Sequence, residues 1–474
     1  MAYILQKGIL NPLKGVKMSK TRGMNRRSFI KQSTLGLIGS GCLGRGVDSP
    51  RQVETDSETP RIKEYRTLGR TGFKVSDLGM GHVGDEGLLR TFLDAGVNYI
   101  DTSEGYRYNE RVLGNAMKNL DRKYLFITSK VIADTSSKHI SQSNITKEGF
   151  LKRAYRILES LRTDYLDCLM ISICETIEML KNEGFHAATE QLKKEGRLRF
   201  VGVSNHGSQF WPRASQEPME KILQAAAEDG RFDVVLMAYN FLKDDKSERV
   251  LEVCSQKNIG TTLMKVNPIR SYNEMKEWLE KNLYSKSQEE REELIRKSAE
   301  EGVSLKDGER RMAIKVENAQ EFIKRHNLKS DKEIRDAAVR FVLSNPNVNT
   351  VCYTLQNYSE AQEFLKLSGG RLTSRDKELL ASYSRECGSL YCRHACGLCE
   401  PACPHQVPVN TIMRYDHYFV AQGREKHAMA EYAALESQKA DRCQDCAGYC
   451  ESACPYGVPI QALLAAAHHT LSLA

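Results

Sequence analysis

The sequence predicts an α/β fold in which a (β/α)8 barrel is followed by a small, mainly helical domain. Two observations support this prediction. Short apolar runs alternate with amphipathic stretches along the middle of the chain, and eight of the 14 cysteines lie in two groups near its C-terminal end. Strands that alternate with helices form parallel sheets. A chain of 474 residues can hold one large barrel and an accessory domain.

Residues 1–44 are predicted to be a leader. The chain has 69 basic and 61 acidic side chains, and residues 1–31 hold eight of the basic and none of the acidic ones. The net charge of +8 therefore comes from the leader, and the rest of the chain has equal numbers of basic and acidic side chains. This balance does not indicate a surface that binds nucleic acid. The apolar stretch "STLGLIGSGCLG" follows the basic segment, an order typical of signal peptides.

The stretch "NRRSFIK", residues 25–31, resembles the twin-arginine export motif. The resemblance implies transfer of the folded protein by the twin-arginine machinery to the periplasm or cell envelope. Met24 is an alternative start, in which case residues 1–23 would not be translated. Gly41 before Cys42 leaves lipid anchoring and membrane association through the leader open, but Gly39, where a lipobox usually has Leu, favours a spacer role for Cys42.

Residues 45–62 are polar, contain two prolines and predict a linker. The eight β-rich runs that follow are "FKVSDLGMG", "VNYIDTS", "YLFITSK", "LDCLMIS", "RFVGVSN", "VVLMAYN", "TTLMKVN" and "TVCYTL". Eight strand–helix units predict a barrel of the triosephosphate isomerase type over residues 63–380, with its chemistry at the C-terminal ends of the strands. A charged helical insertion is expected at residues 270–330.

An open dinucleotide-binding sheet is the alternative. "GMGHVG", residues 79–84, matches GxGxxG and is followed by a helical stretch and a strand ending in Asp101. However, the strand before it contains Ser76 and Asp77, where a buried strand is expected to be apolar. The count of eight units also favours the barrel.

The two cysteine groups allow three interpretations. The groups are Cys392-x3-Cys396-x2-Cys399-x3-Cys403-Pro404 and Cys443-x2-Cys446-x3-Cys450-x3-Cys454-Pro455. Disulfides suit an exported protein, and four thiolates can bind zinc. The short repeated spacing that ends in Cys-Pro favours iron–sulfur clusters.

The two groups resemble those of two-cluster ferredoxins, in which the fourth ligand of each cluster comes from the other group. The resemblance implies one 4Fe-4S cluster on Cys392, Cys396, Cys399 and Cys454, and a second on Cys443, Cys446, Cys450 and Cys403. The x3 spacings are one residue longer than in the tightest ferredoxin pattern, and the residues between the groups predict helices. A helical ferredoxin-like domain is therefore expected at residues 387–474, with Cys387 as a buried thiol and not a ligand.

"YRTLGRTGFKVSDLGMG" followed by "GVNYIDTSEGY" strongly resembles the aldo-keto reductase family, over roughly residues 63–380. The resemblance implies a hairpin that closes the barrel and hydride transfer between NAD(P)H and a carbonyl or alcohol substrate. Asp101, Tyr106 and Lys130 match three members of the family's catalytic tetrad. Tyr106 would be the general acid, Lys130 would lower its pKa, and Asp101 would hold Lys130.

Other matched positions depart from the family pattern. Ser172 occupies the place of the tetrad histidine, and Leu236 that of a glutamine on a neighbouring strand. Ser204 and Asn205 match the pair that binds the nicotinamide carboxamide, and Lys265 is a further cofactor candidate. Gln356 stands where a base faces the adenosine phosphate, and losing that base weakens charge-assisted hydrogen bonds to NADP(H).

Two functions follow from these patterns. The first is an exported oxidoreductase whose barrel acts on a carbonyl or alcohol and whose clusters relay electrons to a partner. Its NADP(H) would have to be tightly bound, because no diffusible nicotinamide pool is expected outside the cytoplasm. The alternative is an electron-transfer or ligand-binding protein whose barrel has lost nicotinamide-dependent hydride chemistry.

Overall fold

The computed structural model describes most of the chain beyond the leader. The described residues are 60–82, 85–105, 107–117, 120–135, 140–206, 217–242, 245–268, 287, 289–290, 293, 317–354, 357–393, 396–422, 425–435, 438–443 and 446–472. The predicted leader, nearly all of the linker, and the positions of Tyr106 and Gln356 lie outside these residues. Most of the predicted insertion does too, although residues 317–325 are helical.

Eight parallel strands close into a barrel in the order β10-β3-β4-β5-β6-β7-β8-β9, and a separate two-stranded hairpin precedes them. This confirms the predicted barrel. The hairpin strands are β1 (Tyr65–Thr67) and β2 (Lys74–Ser76), and the barrel strands are β3 (Leu78–Met80), β4 (Tyr99–Asp101), β5 (Phe126–Ile132), β6 (Leu166–Ser172), β7 (Leu198–Asn205), β8 (Val234–Ala238), β9 (Gly260–Met264) and β10 (Thr350–Tyr353).

Amphipathic helices cover the outside of the barrel and form most of the C-terminal domain. In order they are α1 (Glu86–Asp94), α2 (Arg107–Ala116), α3 (Lys147–Leu161), α4 (Ile177–Leu180), α5 (Glu183–Lys194), α6 (Met219–Asp229), α7 (Asp245–Gln256), α8 (Lys332–Leu343), α9 (Tyr358–Leu365), α10 (Ser374–Cys387), α11 (Val409–Gln422), α12 (Glu425–Ala433), α13 (Tyr449–Ser452) and α14 (Ile460–Leu471). Within the described residues, no helix combines the length and apolar character needed to span a membrane.

The run "FKVSDLGMG" is two strands and not one, because the chain passes from the hairpin into the barrel at Asp77. Ser76 ends the hairpin strand and Asp77 lies between the two strands, so these polar residues do not belong to a barrel strand, although both are fully buried. The Asp77 carboxylate accepts hydrogen bonds from Ser368 Oγ (2.7 Å) and Gly369 N (2.7 Å). Burial of a polar group is tolerated when such partners replace water.

The β1–β2 hairpin closes the end of the barrel opposite the C-terminal ends of the strands. Leu68 and Val75 of the hairpin pack into the barrel interior against Tyr99 and Phe126. Gly69 has a positive φ of 47°, and a Cβ atom there would lie 2.2 Å from the backbone nitrogen of Gly260. The hairpin therefore depends on a residue without a side chain where it meets β9.

The C-terminal domain has a hydrophobic core of its own. Its buried residues come from α11, α12, α14 and the loops that hold the cysteines, with Ile412, Tyr432 and Leu464 fully or almost fully buried. The helices α11 and α12 occupy the segment between the two cysteine groups, where the sequence predicts helix.

We expect Gly69→Ala to destabilise the protein more than Gly72→Ala. Both glycines have positive φ, where an L-residue costs about 1–2 kcal/mol. A Cβ at Gly72 has no atom within 4 Å, whereas one at Gly69 strikes backbone, which we expect to add about 1–3 kcal/mol. Urea unfolding followed by circular dichroism measures both free energies of unfolding. Equal losses would contradict the close packing of the hairpin on β9.

Candidate functional site

The ion pair of Asp101 and Lys130 lies at the C-terminal end of the barrel. Asp101 ends β4, Lys130 lies on the adjacent β5, and both side chains are buried. The Lys130 ammonium contacts the Asp101 carboxylate and also donates to the carbonyl of Thr102 (2.7 Å). Burial raises the pKa of Asp101, and the neighbouring Lys130 opposes this rise. The structure therefore brings together two of the predicted catalytic residues.

The loop that leads from β4 towards Tyr106 is held by a second buried ion pair. Glu104 is buried and accepts a hydrogen bond from Arg153 Nε of α3 (2.9 Å), while Ile132 N donates to its other oxygen (3.1 Å). Arg153 also donates to the carbonyl of Ile132 (2.9 Å). Sequence reasoning missed both residues, although an arginine on the apolar face of a helix is a signal for a buried partner.

Ser172 and Leu236 are both buried in the barrel wall. Ser172 ends β6 and lies beside Ile132 of β5, so it shares the rim with the Asp101–Lys130 pair. Leu236 lies in the apolar cluster that fills the barrel interior, together with Tyr99 and Met170. An apolar side chain at this position offers no hydrogen bond to a ligand.

Ser204 and Asn205 support the backbone that follows β6. Ser204 Oγ accepts a hydrogen bond from Ile173 N (3.1 Å), and Asn205 Nδ2 donates to the carbonyl of Cys174 (2.6 Å). Ile173 has a φ of 51°, which is unusual for a β-branched residue. Both predicted cofactor residues thus hold a strained turn at the rim.

Cys352 was missed by the sequence analysis. It lies on β10, and its thiol is close to the Asp101 carboxylate. Burial, and then the charge of Asp101, raises the pKa of this thiol well above its usual value. Cys352 therefore faces the Asp101–Lys130 pair as a neutral thiol.

Lys265 follows β9 with its backbone in the left-handed region, at a φ of 56°. Its ammonium donates to the carbonyl of His206 (2.7 Å), and Asn240 Nδ2 donates to the carbonyl of Lys265 itself (3.1 Å). Burial, and then the charge of Arg414 in the C-terminal domain, lowers the pKa of Lys265 well below its usual value.

The eight grouped cysteines line two small cavities in the C-terminal domain. The first cavity is lined by Cys392, Cys396, Cys399 and Cys454, and the second by Cys403, Cys443, Cys446 and Cys450. Each cavity thus takes three cysteines from one group and one from the other. Cys387 lies in a different hydrophobic cluster. Among the described cysteines none forms a disulfide, and no three described His, Cys, Asp or Glu side chains converge on a single-ion site.

The loops around the two cavities are similar to one another in sequence and in hydrogen bonding, and the sequence analysis missed this internal repeat. Glu400 accepts a hydrogen bond from Asn410 N (2.8 Å), and Glu451 accepts one from Gln461 N (2.8 Å). Asn410 Nδ2 also donates to the sulfur of Cys392 (3.3 Å). The similar stretches "CEPACPHQVPVN" and "CESACPYGVPIQ" could have revealed this repeat.

The C-terminal domain meets the barrel next to the first cavity. The side chain of Tyr391 interacts with that of Asn240, which follows β8. The guanidinium of Arg414 lies over the Tyr391 ring, 5.3 Å from its centroid, and donates to the carbonyl of Cys392 (2.8 Å). Residues that contact the barrel rim are therefore directly connected to a cysteine of this cavity.

Comparison with known proteins places the barrel segment in a family. Residues 84–384, more than half of the chain, match the sequence model described as "Aldo/keto reductase family". L-galactose dehydrogenase of Arabidopsis thaliana is 29% identical over 157 residues, which cover 30% of this chain and 48% of that protein. Methylglyoxal reductase DkgB of Escherichia coli O157:H7 is 31% identical over 119 residues, which cover 25% of this chain and 41% of that protein. The chain thus spans half or less of the length of these curated relatives.

Among solved structures, aldo-keto reductase AKR11C1 from Bacillus halodurans in its holo form overlaps with a TM-score of 0.44 and 18% identity. The overlap covers 67% of this chain and 95% of that one.

Proposed function

Because the chain belongs to the aldo/keto reductase family, we propose that it is an exported oxidoreductase. It oxidises a small alcohol or reduces a small carbonyl compound at the barrel rim, and two 4Fe-4S clusters carry the electrons to an electron-transfer partner in the first case and from it in the second. The observation that carries this proposal is the pair of cavities, each lined by four cysteines, beside a barrel with a buried Asp101–Lys130 pair.

The residues around the cavities fit iron–sulfur clusters. Each cavity offers four thiols, the number that holds a 4Fe-4S cluster, and these thiols come from both groups as in two-cluster ferredoxins. A bound cluster supplies one-electron transfer. Asn410 Nδ2 already donates to the sulfur of Cys392, and hydrogen bonds to cluster sulfurs help to set the reduction potential. The first cavity, which borders the barrel, is the one expected to exchange electrons with it.

The barrel residues support chemistry on a carbonyl oxygen. Tyr106 would donate the proton to that oxygen, and Lys130, held by Asp101, would favour the tyrosinate form. The buried hydroxyl of Ser172 at the same rim could donate a hydrogen bond to the substrate. NADP(H) is the proposed hydride carrier, with Ser204, Asn205, Lys265 and Gln356 as candidate contacts.

The proposed location is the periplasm or cell envelope, reached through the twin-arginine route. Iron–sulfur clusters are assembled in the cytoplasm, and this route carries folded proteins with their cofactors. The leader and the cysteine groups therefore support each other. Lipid anchoring at Cys42, and membrane association through the leader, are further parts of the proposal to be tested by fractionation.

A second candidate function is electron transfer or ligand binding without nicotinamide chemistry. It is favoured by Leu236, which is buried in the barrel interior, and by Ser204, whose hydroxyl bonds with the turn after β6. Leu236 offers no hydrogen bond to a nicotinamide carboxamide, and the Ser204 hydroxyl already has backbone partners in Ile171 and Ile173. Nicotinamide also transfers two electrons as hydride, whereas each cluster accepts one.

Cys396→Ala and Cys446→Ala should each remove about half of the iron and labile sulfide, because each lines a different cavity. The crossed arrangement makes a sharper prediction. Cys454→Ala should leave the same residual paramagnetic resonance spectrum as Cys396→Ala, and Cys403→Ala the same as Cys446→Ala. Cys387→Ala is the control and should retain all of the iron. If Cys454→Ala instead gave the spectrum of Cys446→Ala, and Cys403→Ala that of Cys396→Ala, the crossed ligand sets would be contradicted. Zinc in stoichiometric amount would contradict the iron–sulfur clusters themselves.

Tyr106→Phe should lower turnover by about 10²-fold or more, because the substrate oxygen loses its general acid. Methylglyoxal and L-galactose, suggested by the names of the relatives, are the first substrates to test, with NADPH or NADP and with viologen dyes. The visible absorption of the clusters should remain unchanged and serves as the control for folding. Turnover equal to that of the unmodified protein would rule out this role for Tyr106.

Anaerobic addition of NADPH, then NADH, then dithionite separates the two candidate functions. Bleaching of the cluster absorption by a nicotinamide would show one electron path from barrel to clusters and would support the first. Bleaching by dithionite alone, with no nicotinamide retained in the purified protein, would favour the second.

A further inference from the structure

Arg393 follows the first cysteine of the first group and lines the first cavity. Its guanidinium carbon lies over the ring of Tyr456, 3.8 Å from the centroid, and Tyr456 lines the same cavity. Arg393 Nη1 donates to the carbonyls of Gly388 (2.9 Å) and Tyr391 (3.2 Å). An aromatic ring and two carbonyl oxygens therefore fix the position of this cation.

The positive charge of Arg393 is not compensated by a carboxylate within the part of the chain that the structure describes, since its Nη1 partners are carbonyl oxygens. Its Nε is buried and has no hydrogen-bond partner there. A buried cation or donor without a partner costs free energy. A 4Fe-4S cluster with four thiolate ligands carries a net negative charge, so a cluster in the first cavity would compensate this cation.

The second cavity provides an internal comparison, because the two cysteine groups belong to a repeat. Glu400 and Glu451 occupy corresponding positions and accept corresponding backbone hydrogen bonds, so these two carboxylates are matched. At the position that corresponds to Arg393 the sequence has Gln444, which lies outside the described residues. The described residues that line the second cavity include no arginine or lysine, and the histidine among them, His405, is exposed.

Hydrogen bonds to cysteine sulfur occur at both cavities. Asn410 Nδ2 donates to the sulfur of Cys392 in the first (3.3 Å), and Val407 N donates to that of Cys403 in the second (3.4 Å). The cation of Arg393 is present at the first cavity alone among the described lining residues. The net charge around a cluster helps to set its reduction potential, so this cation would make the two clusters different.

We propose that Arg393 raises the reduction potential of a cluster in the first cavity above that of a cluster in the second. One added electron makes a cluster more negative by one charge, and a guanidinium nearby stabilises that charge. The first electron to enter the protein would then rest in the cavity that borders the barrel. Its position beside a reacting substrate rests on the proposed function, whereas the order of the potentials requires only that both clusters are bound.

Anaerobic redox titration of the iron-loaded protein, followed by paramagnetic resonance, measures both potentials without substrate. The titration is run at about pH 8, where an exposed histidine such as His405 is neutral. The spectrum that Cys446→Ala retains identifies the first cluster, and the spectrum that Cys396→Ala retains identifies the second. We expect partial reduction of the unmodified protein to produce the first-cluster spectrum before the second. Equal potentials, or the opposite order, would overturn the proposal.

Arg393→Gln is the sharpest variant, because it gives the first group the residue that the sequence has at the corresponding position of the second. At a fixed potential we expect the ratio of reduced to oxidised first cluster to fall about 10-fold, a shift of about 59 mV for one electron. The potential of the second cluster should not change. Arg393→Lys keeps the charge and should retain most of the original potential of the first cluster.

Arg385→Met is the matched control, because Arg385 is an exposed arginine of the preceding helix, and water and salt screen its charge. Both potentials should remain unchanged in this variant. An unshifted first-cluster potential in Arg393→Gln with full iron content would contradict the role of Arg393. If Arg393→Gln loses iron, the order of the two potentials in the unmodified protein decides the matter.

The proposed function can fail separately from this role. A shifted potential in Arg393→Gln, in a protein that turns over no alcohol or carbonyl compound, would sustain the role of Arg393 and count against the oxidoreductase. Turnover by the unmodified protein, with no shift in Arg393→Gln, would do the opposite.

Discussion

The pairing of β10 with both β3 and β9 is the constraint on which the barrel depends, because it closes the sheet. Closure leaves the barrel strands without free edges and sets their C-terminal ends around one rim. Residues far apart in the sequence thereby become neighbours: Asp101 and Lys130 pair across β4 and β5, while Lys265 emerges from β9. Tyr391 of the C-terminal domain meets the same rim beyond β8.

The sequence analysis found the eight barrel strands because a buried parallel strand must be apolar over a short run, and such runs are visible locally. It did not foresee that Asp77 is buried, because the hydrogen-bond partners of Asp77, Ser368 and Gly369, lie almost 300 positions later. The hydrogen bonds that compensate the burial of a carboxylate cannot be predicted from the sequence around that residue when their donors lie far along the chain. Glu104 and Arg153 escaped notice for the same reason.

The sequence predicted the candidate site well where the family's chemistry requires a particular residue type. It predicted the site less well where a residue of the expected type hydrogen-bonds to the protein's own backbone. Asp101 and Lys130 lie together as the family pattern implies. Ser204 and Asn205 retain the expected identities, yet their hydrogen bonds stabilise the strained backbone at Ile173 and Cys174. A matching residue therefore identifies ancestry more securely than it identifies a present contact. The environment of Lys265 was beyond prediction, because Arg414 belongs to a different domain.

The exchange of one cysteine between the two groups has a consequence for synthesis. A nascent chain that has not reached Cys443 lacks three cysteines of the second cavity, and it also lacks Cys454 of the first. Neither cavity can be completed from the N-terminal half of the repeat alone. Both cavities must therefore wait for synthesis of the second cysteine group, so a product truncated between the two groups would be recognisable by two incomplete cavities and not by one.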